Sequence, residues 1–127
     1  MTFETISPTA VHPTSGYSHA VRAGSTLYVS GQVPRDAQNR IVDRDVEAQV
    51  RQVFANLQAV LEAAGAGFRN VVKMTTYLTD RNHFDTWRRV RAEIVGESSP
   101  ASTLVVVEAL SYPEYLVEIE VIAVLDG

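Results

Sequence analysis

Residues 26–34 show the alternation of apolar and polar side chains that predicts a β-strand, and they read TLYVSGQVP. Leu27 and Val29 mark its buried face, and the alternation ends at Ser30-Gly31-Gln32. Because glycine allows a close approach that a side chain would block, we expect the strand to stop here. It would then present a hydroxyl beside exposed backbone N–H groups, as in many small polar pockets. A simple bulge or turn is the alternative.

Apolar residues spaced three and four apart predict two helices. The first begins near Asp43 or Asp45, either of which can cap it, and ends at Gly65. Its buried stripe consists of Val46, Val50, Val53, Leu57, Val60 or Leu61, and Ala64. The second helix spans about residues 82–95 and ends at Gly96. Its inner stripe consists of Phe84, Trp87, Val90 or Arg91, and Ile94, and its arginines form a solvated face.

The remaining strands are predicted by alternation and by turn residues at their ends. They cover residues 3–6, 18–23, 71–79, 102–110 and 115–125. Gly24 lies in a tight turn that joins the second of these segments to residues 26–34 as a hairpin. Within residues 71–79 the more apolar face consists of Val72, Met74, Thr76 and Leu78.

This order of elements predicts an α+β fold, with a six-stranded mixed sheet and both helices on one face. We expect a single domain over residues 1–127. The second sheet face mixes polar and aliphatic side chains: Tyr28, Ser30, Lys73, Thr75, Tyr77, Glu118 and Glu120 with Leu104, Val106, Leu116, Ile122 and Val124. A monomer would expose these aliphatic groups as one patch. We therefore expect a homo-oligomer with polar pockets at its seams.

Composition narrows the function classes. The chain has 127 residues, 46% of them hydrophobic, and a net charge of −4 without a basic tract, which argues against broad binding to nucleic acid. It has no cysteine, no apolar run long enough for a membrane span and no signal peptide pattern, so a cytoplasmic protein is expected. His12, His19 and His83 lack metal-ligand spacing and are interpreted as surface or packing residues; no metal or cofactor is expected.

Read together, these segments resemble the Rid family (reactive intermediate deaminases, also called YjgF or RidA). The matches follow one another along nearly the whole chain: Tyr17 after a glycine, LYVSGQVP, Gln49, Asn56-Leu57, Ala63-Ala64-Gly65, VVKMTTYLTD, Phe84, Pro100-Ala101 and VEIEVIAV. The resemblance implies a chorismate-mutase-like fold and a homotrimer. It also implies small-molecule pockets between neighbouring subunits, for a small organic acid or a related compound.

The family's deaminases hydrolyse the C=N bond of 2-imino acids to give a 2-keto acid and ammonia. The resemblance implies three catalytic residues in this chain. Tyr17 would hydrogen-bond the ligand, Ser30 would contact it near Gly31, and Glu118 would position the attacking water. Each has a structural alternative: Tyr17 as a loop anchor, and Glu118 as an interface charge paired with Lys73 or an arginine.

One departure from the family pattern concerns the carboxylate of the substrate. The family holds it with an arginine two residues after Pro100, and this position is Ser102. A hydroxyl does not replace the charge or the bidentate geometry of a guanidinium. The asparagine and tyrosine of the family's second helix are replaced by Arg88 and Arg91. The resemblance therefore implies a substrate-binding set of Gly31, Ser102, Thr103 and Arg88, with Arg22 or Arg88 as a substitute cation.

The residues leave two functions open. The favoured one is a deaminase-like hydrolase acting on the C–N bond of reactive imines, enamines or related metabolites. Its activity on 2-iminopropanoate is doubtful because Ser102 replaces the arginine. The alternative is a non-catalytic trimer that binds or senses a small metabolite. Ribonuclease activity is disfavoured, since the chain is acidic and has no acid–base histidine pair.

Overall fold

The computed structural model describes residues 3–126, in which six strands form one mixed sheet and two helices cover one of its faces. The strands are β1 (Glu4–Ile6), β2 (Ala20–Ala23), β3 (Thr26–Gln32), β4 (Val71–Leu78), β5 (Ala101–Val106) and β6 (Val117–Val124). The helices are α1 (Val46–Ala63) and α2 (Phe84–Val95). The strand order across the sheet is β1-β2-β3-β6-β4-β5, and only the β4–β5 pair is parallel. The predicted element order and mixed sheet are confirmed.

Helix α1 forms as its sequence predicts. The carboxylate of Asp45 accepts a hydrogen bond of 3.1 Å from the Ala48 N–H and so caps the first turn. Gly65 follows the helix at φ +76°, a conformation that favours glycine and ends the helix. Phe54 and Leu57 are fully buried against the sheet, as is most of the predicted stripe.

Helix α2 begins two residues later than predicted, because residues 81–83 form a separate 3₁₀ turn. The carboxylate of Asp80 caps this turn by accepting a 2.8 Å hydrogen bond from the Asn82 N–H. Val90, not Arg91, completes the buried stripe, while Phe84 remains 38% exposed beside Trp87. In residues 3–126, neither helix is long and apolar enough to cross a membrane.

The exposed faces of α1 and α2 are joined by ion pairs. Arg89 contacts Glu47 at 2.6 Å and Glu93 at 3.3 Å, and Arg51 contacts the same two carboxylates. These hydrogen bonds lower the pKa of both glutamates. Because all four side chains are well exposed, the network orients the helices and adds little to stability.

Backbone bulges interrupt the pairing of β3 and β4. β3 ends at Gln32, within the predicted Ser30-Gly31-Gln32 stop, and its register with β6 shifts between Val29 and Gln32. Ser30-Gly31 is therefore a bulge at the end of the strand. A second shift, between Val71 and Lys73, turns Val72 outward and puts Val71 into the core. Alternation alone placed Val72 on the apolar face, because it does not show that a bulge reverses which residues of the strand face the core.

Strand β5 is shorter than predicted and its faces are reversed. The parallel register places Thr103 opposite Thr75 and Leu104 opposite the fully buried Thr76. Leu104 consequently packs against the core, and Val106 lies on the same side. Val105 takes their place on the open face, which is the sheet face not covered by the helices. The strand ends at Val106, and residues 107–116 form an irregular connection to β6.

The Leu57→Ala variant measures how much the contact between α1 and the sheet contributes to the free energy of unfolding. Leu57→Ala removes a fully buried side chain and leaves a cavity, so we expect the free energy of unfolding to fall by about 2–5 kcal/mol. Urea denaturation followed by circular dichroism measures this change. The neighbouring exposed Gln58→Ala serves as the control, with an expected change within about 0.5 kcal/mol. Equal effects of the two variants would contradict the packing described.

Candidate functional site

The bulge in β3 brings Gly31 against the carboxyl group of Glu118 on β6. A Cβ atom at position 31 would overlap Oε2 of Glu118 and lie 2.9 Å from its Cδ. No side chain larger than that of glycine fits here without displacing the carboxyl group. The end of the Glu118 side chain thus occupies the space that a Cβ would need at position 31, and it lies on the open face at the end of the β3–β6 pair.

Glu118 is half-buried, and burial raises the pKa of its carboxyl group, with a further contribution from the nearby charge of Glu120. Glu118 forms no ion pair within residues 3–126. Lys73, its suggested partner, instead donates a 2.6 Å hydrogen bond to Thr103 Oγ1. Glu120 accepts a 2.8 Å hydrogen bond from the Tyr77 hydroxyl. Among the residues that the structure describes, Glu118 thus has no salt-bridge partner, and the pKa of its carboxyl group is raised.

Ser30 lies beside this contact, but its hydroxyl is already engaged. Its Oγ donates a 2.6 Å hydrogen bond to the Ser18 carbonyl, and its N–H donates to the His19 carbonyl at 2.8 Å. Ser30 therefore joins the bulge to the loop that carries Tyr17. Its hydroxyl oxygen still has lone pairs with which to accept a hydrogen bond from a ligand.

A buried polar network supports this loop from inside. Nε2 of Gln32 donates to His19 Nδ1 at 3.1 Å and to the Ser30 carbonyl at 3.2 Å. His19 Nε2 donates in turn to the His12 carbonyl at 2.7 Å, which fixes the tautomer. Burial, with the charges of His19 and Arg35, lowers the pKa of His12 to about 4. His12 is therefore neutral at physiological pH, and both histidines hold the loop as packing residues.

Tyr17 lines a cavity of about 360 Å³, which lies at the same end of the sheet as Gly31 and Glu118. Its side chain is 53% exposed and its ring lies 6.4 Å from the ring of His19. Arg35 stands in this cavity with its guanidinium 4.7 Å from the Tyr112 ring and its Nε donating to the Tyr115 hydroxyl. We call this the arginine cavity; it is lined by His12, Pro13, Thr14, Ser15, Tyr17, Val33, Arg35, Asn39, Ser111, Tyr112 and Tyr115.

Two buried amides of α1 fix the segments that form this cavity. Nδ2 of Asn56 donates hydrogen bonds of 3.0 Å to the carbonyls of Val33 and Arg35. Gln49 donates to the Glu114 carbonyl at 2.9 Å and accepts from the Leu116 N–H at 2.8 Å. The loop after β3 and the segment before β6 are thus both held by α1.

Comparison with known proteins identifies relatives over most of the chain. A model of the family described as endoribonuclease L-PSP matches residues 7–125. A RutC family protein of Pyrococcus horikoshii is 44% identical over 115 residues, which are 90% of each chain. A mouse protein named 2-iminobutanoate/2-iminopropanoate deaminase is 40% identical over 121 residues, 94% of this chain and 87% of that one. The chain belongs to the Rid family.

The solved structures confirm the fold that the resemblance implied. E. coli TdcF, whose crystal structure contains bound serine, superposes with a TM-score of 0.89 at 30% identity. The match covers 97% of this chain and 99% of TdcF. The chorismate-mutase-like arrangement of six strands and two helices is therefore a property of this Rid chain.

One chain does not bring the whole predicted Rid site together. Ser30, Gly31 and Glu118 are neighbours, and Ser18 links Ser30 to Tyr17. Thr103 lies on the edge strand β5, separated from β6 by β4. Ser102, next to it, faces the helix side of the sheet because it pairs with the buried Met74.

Arg88 lies apart from both groups. It is on the exposed surface of α2, with its guanidinium 5.7 Å from the Phe84 ring. The open face carries a smaller cavity of about 230 Å³, which includes Lys73, Glu120 and Ile122. Within residues 3–126, no cluster of three or more histidine or acidic residues is arranged to hold a metal ion.

Sequence interpretation of this Rid chain missed Gln32, Arg35, Tyr112 and Tyr115 as site residues. Nothing in the spacing of Arg35 and Tyr112 indicates that they meet, since 77 positions of chain separate them. A usable signal did exist for the supporting amides. Gln49 and Asn56 are seven positions apart, so two polar residues share one helix face with the apolar stripe.

The raised pKa of Glu118 predicts how stability depends on pH. The folded chain binds this proton more tightly than the unfolded chain, in which the pKa is about 4.3. The stabilising contribution is therefore complete below that value and is lost as pH rises through the folded pKa. We expect Glu118→Gln, which carries no charge, to raise the Tm by a few degrees at pH 7. The gain should disappear near pH 4.

Calorimetric scans of both proteins between pH 4 and 8 measure this effect. Glu108→Gln is the matched control, because Glu108 is exposed on the connection before β6. A Glu118→Gln protein that is less stable than the wild type at pH 7 would show that the carboxylate is held favourably in its charged form.

Proposed function

We propose that this Rid protein hydrolyses the C=N bond of small 2-imino acids in pockets between the subunits of a homotrimer. Glu118 would position the attacking water and accept its proton. The observation that carries the proposal is the Glu118 carboxyl group, half-buried against Gly31, without an ion-pair partner in the described chain and with a raised pKa. Such a group is characteristic of catalytic acid–base sites.

The chemistry requires one water and no redox partner. Water attacks the carbon of the protonated imine while Glu118 accepts one proton of the water, and a neutral carbinolamine forms. Glu118 then returns this proton to the nitrogen. As the C–N bond breaks, Glu118 accepts the hydroxyl proton, and a 2-keto acid and ammonia leave. A carboxyl group with a raised pKa is suited to both proton transfers, since its proton affinity is nearer to neutral pH. Ser30 would contact the ligand beside it, and Tyr17 would hydrogen-bond it.

The trimer is supported by the open face of the sheet. Tyr28, Val105 and Val124 are 51%, 39% and 43% exposed, which is much apolar surface for a chain on its own. Thr103 and Arg88 also lie away from Glu118 in one chain. A pocket that uses all the family positions would therefore need a second copy of the chain.

The alternative function is binding of a small metabolite without catalysis. The observation in its favour is Ser102, which lacks the charge that holds a carboxylate in arginine-bearing relatives. The serine bound to TdcF is consistent with an amino-acid-sized ligand for either function.

Assembly is tested by light scattering coupled to size exclusion. We expect the wild-type protein to elute with three times the mass of one chain at micromolar concentration. Ile122→Lys should dissociate it, because the substitution places a charge on a packed open face. Gln58→Lys, on the exposed side of α1, is the control and should remain trimeric. A wild-type monomer would refute the trimer.

Catalysis is tested by ammonia release from freshly generated 2-imino acids. We expect weak turnover of 2-iminopropanoate, because Ser102 carries no charge to hold its carboxylate. Glu118→Gln should lower kcat by about 100-fold or more while the protein stays folded, since the proton acceptor is lost.

Gly31→Ala should also lower kcat, because the new Cβ displaces the carboxyl group. Gly67→Ala is a matched control, since a Cβ at that position meets no atom within 4 Å. If no imino acid is hydrolysed above the buffer rate, the metabolite-binding function replaces the hydrolase.

A further inference from the structure

The arginine cavity contains an unpaired positive charge. Arg35 is in no ion pair within residues 3–126, and no aspartate or glutamate lines its cavity. The one other basic side chain in the lining, His12, is neutral at physiological pH. A cavity with this balance favours an anionic ligand.

Two hydrogen bonds hold the Arg35 guanidinium in place, and some of its N–H donors remain free for a ligand. Its Nε donates to the Tyr115 hydroxyl and its Nη1 donates to the Asn39 carbonyl at 2.8 Å. Nη2 has no protein acceptor among the described residues, so its N–H groups remain for a ligand. Asn56 fixes the backbone of Arg35 from below. A guanidinium oriented in this way loses little conformational freedom when it binds a carboxylate.

The walls of the cavity are aromatic. Tyr112 lies under the guanidinium at 4.7 Å, the Tyr115 ring centre is 5.6 Å from it, and Tyr17 stands at the rim. A volume of about 360 Å³ falls within the usual range for small-molecule pockets, roughly 300–1,000 Å³. Tyr17 and Tyr112 are 53% and 49% exposed, so their rings are open to contact with an aromatic group of a ligand, whereas Tyr115 is buried.

The arginine cavity lies at the same end of the sheet as Glu118. Because β3 and β6 are antiparallel, the residues after Gln32 and those before Val117 meet at this end. Tyr115 and Glu118 are three positions apart, so their Cα atoms lie within about 10 Å of each other.

We propose that Arg35 is the carboxylate anchor of this chain and that its tyrosine neighbours select 2-imino or 2-keto acids with an aromatic side chain. Arg35 would thereby take the role left open at Ser102. Neither suggested substitute lines this cavity: Arg22 Nε donates to the Gly24 carbonyl at 3.0 Å, and Arg88 lies on the exposed surface of α2. The proposal rests on the hydrolase function only for the step after binding. Binding itself needs neither turnover nor Glu118.

Calorimetric titration with phenylpyruvate and with pyruvate tests the anchor. We expect phenylpyruvate to bind the wild type more tightly than pyruvate. Arg35→Met should weaken phenylpyruvate about ten- to hundredfold, as the loss of a charge-assisted contact does. Arg40→Met is the matched control. It removes a charge from the same loop, but Arg40 pairs with Asp36 at 3.6 Å, is exposed and does not line the cavity.

A chemical experiment covers the case in which Arg35→Met fails to fold. Phenylglyoxal modifies accessible arginines, and mass spectrometry of the wild-type protein locates each modification. Saturating phenylpyruvate should protect Arg35 and leave Arg40 and Arg88 reactive. Unchanged affinity in folded Arg35→Met, or no protection of Arg35, overturns the proposal.

The two proposals fail in different ways. Binding that depends on Arg35, without ammonia release from any imino acid, supports the anchor and refutes the hydrolase. Ammonia release from an aromatic imino acid with the same KM in Arg35→Met supports the hydrolase and overturns the anchor. Tyr112→Leu gives the specificity readout: it should weaken phenylpyruvate more than pyruvate, and equal losses for both acids would refute aromatic selection.

Discussion

The end of the sheet that carries Glu118 and the arginine cavity depends on two buried side-chain amides of α1. Gln49 and Asn56 present no charge, yet together they satisfy three backbone carbonyls and one N–H in the segments that flank β3 and β6. Irregular backbone next to a core is costly unless its polar groups are paired. These hydrogen bonds let the sheet end in two structured loops instead of solvated turns, and every cavity residue outside the Tyr17 loop lies on one of those loops.

A second constraint acts within the sheet itself. The bulge at Ser30-Gly31 lets the carboxyl group of Glu118 occupy the space that a side chain would take. The helix-covered face is a conventional apolar core, while the open face combines this carboxyl group with exposed aliphatic and aromatic groups. The same sheet therefore provides stability on one side. On the other it offers chemistry and, in the assembly we propose, contact with further copies.

Much of the fold was predictable from periodicity, and the failures have identifiable physical causes. The stripe of α1 and its cap at Asp45 follow from local rules that hold within a few turns of helix. Val72 and Leu104 were assigned to the wrong face, because a bulge and a parallel register are decided by strand pairing across the sheet. Glu118 and Gly31 were predicted as site residues through family resemblance. Arg35 was not predicted, because Tyr112 and Tyr115 reach it only in the folded chain.

The chain's single tryptophan, Trp87, lies on the buried face of α2, away from the arginine cavity. Three of the five tyrosines line that cavity. The two chromophores therefore report on different parts of the molecule. Indole emission follows the docking of α2, whereas the ultraviolet absorbance of the tyrosines follows the cavity together with the open face, which carries Tyr28 and Tyr77. Local opening of the cavity would change the second signal before the first, so partial and global unfolding are separable in the unlabelled protein.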